Sequence, residues 1–323
     1  MPSGLVTDVD QIRVWLDWPP DEAYRLEALA AAPPTNFELP EPDEARILLR
    51  NMDVPPPAID EMVPAMPSPA SDPEAWWLLE RCYAAFRGGV RPPWPAPWVT
   101  DEPLTRYFHL YVFLGALRDV LDKHAARGIP ERATYATLGD VGLQVAHYHA
   151  RNGGVYGFDG AFWIFNHFRG DLFQIGRLQY ELGVAAYAST AFGEGDPILE
   201  MHIPAIGPLT PESCDASQDE ARAFFAKHFP ETDYRFGTCE SWLLDEHLKD
   251  VLDASSNIVK FQERFTHDPD YAVDGDDDII RFNFGRLPDD LDELPQDTSL
   301  QRGIVNVLKH GGHWRIRRGW LEI

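Results

Sequence analysis

The sequence predicts a two-domain chain of the α/β (α+β) class, in which an all-helical domain (residues 1–152) precedes a mixed β-sheet flanked by helices (residues 153–323). Three observations support this prediction. Apolar residues recur at helical spacing between prolines up to Arg151, the composition changes at Asn152-Gly153-Gly154, and short apolar runs separated by turn residues follow. At 323 residues, the chain is long enough for two separate cores.

The first domain is predicted to contain helices alone, because prolines and glycines interrupt its helical periodicity at intervals. The longest predicted helix has a broad apolar stripe that includes Tyr107, Leu110, Leu114 and Leu121. The predicted helices span residues 9–16, 21–31, 44–51, 59–63, 74–86, 104–127 and 131–151.

The second domain is predicted to be organised around a strand–loop–helix unit at residues 198–229. Polar and apolar residues alternate over residues 198–203, which is typical of a strand. Gly and Pro residues then form a loop, and Asp215 with Gln218 resembles a capping box that opens an amphipathic helix. Such a unit leaves backbone N–H groups of the loop and first helical turn available for an anion or a carbonyl oxygen.

The rest of this domain is predicted to alternate strands with helices. Asp274-Gly275, placed between two alternating runs, indicates a hairpin. The other predicted strands span residues 162–168, 172–176, 178–182, 233–244, 266–273, 279–284 and 313–321, and the other predicted helices span residues 245–265 and 300–309.

The charge of the chain excludes some partners. With 52 acidic and 28 basic residues, the formal net charge is -24, which disfavours nucleic acid and anionic membranes as partners. No apolar run is long enough to span a bilayer, and the sequence does not open with a secretory signal pattern, so we expect a cytoplasmic protein. Three cysteines without a C-x-x-C motif fit reduced thiols, and no metal site is expected.

Several enzyme classes are disfavoured because their motifs are missing. The sequence has no G-x-S-x-G, P-loop or H-E-x-x-H pattern. The acidic run at residues 274–278 does not have EF-hand spacing, and His147 and His149 would face different sides of a helix.

Five segments of the sequence carry a family resemblance: LFQIGRLQYEL (172–182), HIPAIGPLTPESCDASQDEARAFF (202–225), CESWLLDEHL (239–248), SNIVKFQERF (256–265) and SLQRGIVNVLKHGGHWRIRRGWL (299–321). They resemble a bacterial family of GNAT-like acyltransferases with a helical N-terminal acyltransferase domain. The resemblance covers essentially the whole chain. It implies a GNAT-like sheet, in which an acyl-CoA lies between two splayed strands, and transfer of the acyl group to an amine of a small molecule.

Acyl transfer to an amine needs a base, and the central predicted strand offers two candidates. Glu200 and His202 alternate on one face, so both could reach a cleft beside the splayed neighbour. We expect His202 to be the base, since imidazole titrates near neutral pH, with Glu200 as the alternative or as an orienting partner. Cys239 on the next strand is a candidate acid or nucleophile, although a free cysteine is also commonly a small buried residue.

The resemblance also implies acetyl-CoA or another acyl-CoA as co-substrate. Backbone N–H groups around the loop would polarise the thioester carbonyl, and Asn257 would contact substrate or cofactor or act as a helix cap. The CoA phosphates could bind Arg177 or a basic cluster near the C-terminus, although the alternating Arg315 and Arg317 of that cluster also fit the solvent face of an edge strand. The expected cofactor-binding residues are Ile203, Ala205, Ile206, Gly207, Leu209, Ser241, Asn257 and Arg177.

Two alternatives remain open at this point. A GNAT-like scaffold could act as a non-catalytic ligand-binding or interaction protein. The enzyme could instead take its acyl group from a carrier protein, which would need a local basic patch on this acidic chain. The acceptor, the acyl length and the oligomeric state are not predicted.

Overall fold

The computed structural model describes residues 9–17, 19, 22–33, 35–96 and 102–323. Contacts divide the chain into two compact units, residues 1–171 and 172–323. By this division, residues 153–171 belong to the first unit, although the change in composition assigns them to the second domain. Residue 21, where the second predicted helix begins, lies outside the described residues.

The first unit is built from helices packed around a core rich in aromatic residues. The ring of Phe86 packs edge to face against the rings of Phe113 and Phe165, and Trp94 packs against the same two rings. Prolines in the first turns of α3, α4 and α5 fix the backbone where each helix begins. The helices are α1 (Val9–Trp15), α2 (Ala23–Ala30), α3 (Pro42–Asn51), α4 (Pro56–Met62), α5 (Pro73–Arg87), α6 (Pro103–Arg106), α7 (Phe108–Ala126), α8 (Glu131–Leu138), α9 (Asp140–Arg151) and α10 (Ala161–Arg169).

The helices predicted before residue 152 are confirmed, but the two longest are each divided in two. Non-helical backbone at Tyr107 separates α6 from α7, and Gly139 separates α8 from α9. Within the part of the chain that the structure describes, no helix has both the length and the apolar character that crossing a bilayer requires.

The second unit contains a six-stranded mixed sheet with strand order β1-β2-β3-β4-β6-β5. This confirms the predicted fold class of a helical region followed by a mixed sheet flanked by helices. The strands are β1 (Leu172–Ile175), β2 (Leu178–Val184), β3 (Pro197–His202), β4 (Phe236–Ser241), β5 (Thr266–Asp274) and β6 (Arg315–Glu322). The helices are α11 (Pro211–His228), α12 (Leu248–Val251), α13 (Asn257–Gln262), α14 (Asp276–Phe284) and α15 (Ser299–Lys309).

The two faces of this sheet differ in chemistry. Phe173, Tyr180 and Met201 are register partners across β1, β2 and β3, and their buried side chains share one face. Phe225 of α11 packs against Phe173 and Tyr180 on that face. The opposite face carries polar side chains of β2, β3 and β4, since successive residues of a strand point to opposite sides.

The centre of the sheet is the parallel pair β3 and β4. Within residues 197–241, all of which the structure describes, these strands pair at only two positions, Leu199 with Gly237 and Glu200 with Thr238. β3 continues to His202 and β4 continues to Ser241, so the strands part at their carboxyl ends. This confirms the prediction of two splayed strands.

Two predicted strands are helices in the structure. Residues 162–168 form α10, because Ile164, Phe165 and Phe168 recur at helical spacing and bury one face in the first unit's core. Residues 279–284 form the end of α14, so the hairpin predicted at Asp274-Gly275 is wrong. Asp276 in the first turn of α14 accepts a hydrogen bond from the Trp314 backbone N–H, and an acidic first turn favours a helix.

Two other predicted boundaries are also wrong. Helix α11 begins at Pro211, and its N-cap is Thr210, which accepts a hydrogen bond from the Ser213 backbone N–H, in place of the predicted Asp215. The predicted helix at residues 245–265 is two short helices, α12 and α13, since Ser256 caps a separate start for α13.

Gly142 of α9 lies so close to the Asp53 backbone that a Cβ atom there would be 2.1 Å from the Asp53 carbonyl oxygen. We expect Gly142→Ala to lower the free energy of unfolding by roughly 1–3 kcal/mol, because backbone cannot move aside as a flexible side chain would. Urea titration would measure this. The control is Gly88→Ala, whose Cβ would meet its nearest atoms at 3.4 Å, an ordinary contact. Equal stability of the two variants would contradict the prediction.

Candidate functional site

A hydrogen-bonded pair of side chains lies on the polar face of the sheet, where β3 leaves β4. Nε2 of His202 is 3.1 Å from Oε2 of Glu181 on β2. The side chains are 27% and 13% exposed, so solvent or a ligand can reach the imidazole while the carboxylate is largely covered. The pair is held by the β2–β3 register, in which Gln179 is opposite His202 and Glu181 is opposite Glu200.

This hydrogen bond assigns the tautomer of His202. An ionised carboxylate can only accept a hydrogen bond, so the ring proton belongs on Nε2 and the lone pair on Nδ1. The carboxylate also stabilises the positive charge that the ring gains when Nδ1 takes a proton. The pair therefore has the arrangement of a general base with an orienting carboxylate.

Glu200 lies beside this pair and is exposed. Its carboxylate packs against Gly183, where a Cβ atom would be 2.9 Å from Oε1 of Glu200. Ligand atoms of Glu181, Glu200 and His202 all lie within 4.8 Å of one another. The structure thus brings together two predicted residues and one, Glu181, that the sequence analysis missed. The alternation in Gln179-Tyr180-Glu181 suggests a polar face, but only the register shows that it adjoins His202.

The loop that follows β3 contains Ile203, Ala205, Ile206, Gly207 and Leu209, the predicted cofactor-binding residues. Ala205, Ile206 and Gly207 are exposed, and Leu209 is buried. Gly207 has a φ of 135°, a conformation that side-chain-bearing residues rarely adopt. These residues follow His202 directly, at the end of β3 that parts from β4.

Arg177 fixes the shape of this loop from the turn between β1 and β2. Its guanidinium donates hydrogen bonds to the carbonyl oxygens of Pro204 at 2.9 Å, Gly207 at 2.7 Å and Pro208 at 3.1 Å. The guanidinium is therefore occupied by loop carbonyls. Its contacts indicate that it positions the loop.

Helix α11 begins where the loop ends, so the positive end of its dipole lies at the same place. Arg264 supports this first turn by donating to the Pro211 carbonyl oxygen and to Oε1 of Gln218, each at 2.9 Å, and it also pairs with Asp215. The positive end of the helix dipole therefore favours an anionic group at this end of the loop.

Other predicted site residues are not placed with His202. Cys239 is 1% exposed and, by register, lies on the opposite face of the sheet from His202. Desolvation by burial raises the pKa of its thiol to about 12. Ser241 caps the 3-10 turn that follows β4, and Asn257 is the first residue of α13, with Ser256 as the cap.

A second polar cluster lies across the gap, on the same face as His202. The guanidinium of Arg318 on β6 is stacked between the rings of Tyr187, at 3.9 Å, and Tyr271, at 3.8 Å. Its Nε donates to Oε1 of Glu240 on β4 at 2.7 Å, and the Tyr271 hydroxyl donates to Oε2 of the same carboxylate at 2.8 Å. The sequence analysis missed this cluster, because its members come from distant segments.

Two protein families match this chain, each over about one half of it. Residues 43–170 match the N-acyltransferase N-terminal domain, and residues 172–321 match the GNAT-like C-terminal domain. No curated protein matches the chain.

Solved acyltransferase structures match over nearly the whole length. One, in complex with decanoyl-CoA and teicoplanin, is 36% identical, with a TM-score of 0.88 over 98% of this chain and 99% of that chain. Another, a mutant in complex with octanoyl-CoA, is 35% identical, with the same TM-score of 0.88 and the same coverage of 98% and 99%. A third, in complex with CoA and 10C-Teicoplanin, is 36% identical with a TM-score of 0.88, again over 98% and 99%.

The burial of the cysteines leads to a test of their chemical role. Cys82, Cys214 and Cys239 are all buried, and burial raises the pKa of each thiol. We expect the folded protein at about pH 8 to react with a thiol reagent only slowly, because the reactive thiolate is scarce. The same reagent should count all three thiols after unfolding in urea. Rapid reaction of one thiol in the folded protein, lost in Cys239→Ala, would restore Cys239 as a candidate nucleophile.

Proposed function

The chain belongs to the acyltransferase family that joins an N-acyltransferase N-terminal domain to a GNAT-like C-terminal domain, and we propose that it transfers a medium-length acyl group from acyl-CoA to an amine of a small molecule. Membership of this family confirms the prediction that the chain is an acyltransferase and argues against a non-catalytic ligand-binding or interaction protein. The observation that carries the proposal is the His202–Glu181 hydrogen bond beside the splayed strands.

The proposed base is Nδ1 of His202. It takes a proton from the acceptor amine as the nitrogen attacks the thioester carbonyl carbon. The new C–N bond forms, the C–S bond breaks, and the departing CoA thiolate takes up a proton from the imidazolium or from water. Glu181 orients the imidazole ring and stabilises the positive charge that develops on it. The contribution of Glu181 therefore grows as the proton moves to the ring. Glu200 is exposed next to the ring and supplies negative charge where a cationic amine approaches.

The donor is proposed to lie where β3 and β4 part. The strands stop pairing after Glu200 and Thr238, so their facing edges can offer backbone N–H groups to the thioester carbonyl and its oxyanion. The loop at residues 203–210 and the first turn of α11 would hold the pyrophosphate, since N–H groups and a positive helix dipole favour a negative ligand. Arg177 contributes indirectly by holding the loop carbonyls.

The donor length and the acceptor class are inferred from the similar structures. Those proteins are found with octanoyl-CoA, decanoyl-CoA and teicoplanin. We therefore propose octanoyl and decanoyl donors, and an amine of a teicoplanin-like glycopeptide as the first acceptor to test. An acidic chain with a net charge of -24 is compatible with a cationic acceptor.

A donor series tests this proposal. Acetyl-, octanoyl- and decanoyl-CoA would each be titrated calorimetrically into the protein and then assayed with teicoplanin by mass spectrometry. We expect tighter binding and faster transfer with octanoyl- and decanoyl-CoA than with acetyl-CoA, because a longer chain buries more apolar surface. Preference for acetyl-CoA would reject the proposed length, and absence of binding by every CoA ester would favour the carrier-protein donor.

Two substitutions test the proposed base. His202→Ala should lower kcat by about 10²–10⁴-fold with little change in donor affinity, since it removes proton transfer but not the CoA site. Glu181→Gln keeps the size of the side chain and should also lower kcat, by a smaller factor, because the ring loses the carboxylate that orients it. Glu322→Gln, which alters an exposed carboxylate paired with Arg235 at the end of β6, is the matched control. An unchanged kcat in His202→Ala would eliminate His202 as the base.

A further inference from the structure

We propose that Glu181, Glu200 and His202 also form a binding site for a divalent transition metal such as Zn²⁺, and that the bound metal switches off acyl transfer. The inhibitory part rests on the proposed function, whereas metal binding does not. Among the described residues, these form the one group of at least three His, Cys, Asp or Glu side chains whose ligand atoms lie within 4.8 Å of one another.

The donor set and its spacing suit zinc. One imidazole nitrogen and two carboxylate oxygens are typical zinc ligands, and three protein ligands leave a fourth position for water. Two ligand atoms that are each about 2.1 Å from a tetrahedral zinc lie about 3.4 Å apart. Nε2 of His202 and Oε2 of Glu181 are already 3.1 Å apart. The Glu200 donor atom lies within 4.8 Å of the other two, and rotation of this exposed side chain would bring it into the ligand set.

The sheet places these donors on a rigid frame. β2 and β3 pair at six successive positions, from Gln179 with His202 to Val184 with Pro197. Glu181 and Glu200 are direct partners in this register, and like charges placed directly opposite each other destabilise a sheet. A cation between the two carboxylates relieves that repulsion. The negative charge of the whole chain adds a general attraction for cations.

Metal binding would inactivate the base by changing which ring nitrogen of His202 carries the proton. In the metal-free site, the ring proton is on Nε2 and the lone pair of Nδ1 accepts the amine proton. A metal on Nε2 needs the lone pair of that nitrogen, so the single ring proton moves to Nδ1. No proton is gained or lost by the neutral ring, but Nδ1 can no longer accept one. The same side chains therefore serve either proton transfer or metal binding.

Calorimetry with zinc chloride tests the site without donor or acceptor. The protein would first be treated with a chelator and dialysed. We expect one zinc per chain, with binding weakened roughly 10–100-fold in Glu181→Gln and in Glu200→Gln, and abolished in His202→Ala. Cobalt absorption spectra of the same proteins report the ligand set directly. Thermal unfolding would verify that each variant is folded.

The matched control is His313→Ala. His313 forms a similar His–carboxylate pair, with Nδ1 at 2.7 Å from Oδ2 of Asp276, but it is not part of the three-donor group. Zinc binding should be unchanged in this variant. Equal zinc binding by the wild type and His202→Ala, or no binding by the wild type, would overturn the site.

Inhibition is tested separately with octanoyl-CoA and teicoplanin. Zinc at its binding concentration should stop transfer by the wild type, and EDTA should restore it. Zinc binding without inhibition would overturn the proposed switch. If the wild type transfers no acyl group from any donor, the proposed function fails while the calorimetric result on the metal site remains valid.

Discussion

The short parallel pairing of β3 with β4 is the constraint on which the site depends. On one side, β3 is held by β2 over six register pairs; on the other, it pairs with β4 at two positions and then parts from it. One edge of the strand is thus rigid and the other is open near its carboxyl end. His202 lies at that end and is held by its hydrogen bond to Glu181 on β2, and the loop at residues 203–210 starts from the same point.

The chemistry of the pair follows from register. His202 and Glu181 are diagonal partners across β2 and β3, and long side chains can meet at such diagonal spacing. Glu200 is directly opposite Glu181, so two negative charges face each other with the imidazole beside them. A shift of one residue in the register would move these polar groups to the face that α11 covers.

Much of the fold could be predicted from local patterns, because alternation and helical spacing are local properties. The β3 strand and the loop after it were predicted from such patterns, and so were most helices of the first unit. Residues 162–168 were misassigned because a short apolar run fits a buried strand as well as a helix, and the core that receives Phe165 and Phe168 comes from distant segments. At residues 276–284, the first turn of the helix is held by a hydrogen bond from the backbone N–H of Trp314, far along the chain, to Asp276.

The candidate site could likewise be predicted only where its residues follow one another along the chain. His202 and Glu200 could be found because they share one strand, and the loop residues because they follow it. Glu181 could not be found, because its place depends on which strand pairs with β3 and in which register. Cys239 was predicted as a candidate from its strand alone. Its burial on the other face, and the raised pKa of its thiol, come from packing against residues that the strand itself does not contain.

The two sides of the gap between β3 and β4 differ in charge, and this difference bears on how an acceptor approaches. On the β4 side, Glu240 is neutralised by Arg318, which also pairs with Asp268 and is stacked between two tyrosine rings. On the β3 side, two carboxylates, those of Glu181 and Glu200, lie with the imidazole of His202 within 4.8 Å of one another. Under the proposed function, a cationic amine would approach from the β3 side, where Glu200 is exposed beside His202. The β4 side, where Glu240 is paired with Arg318, would contact a neutral part of the ligands. The difference in charge across the sheet therefore predicts the direction from which an amine reaches the proposed base.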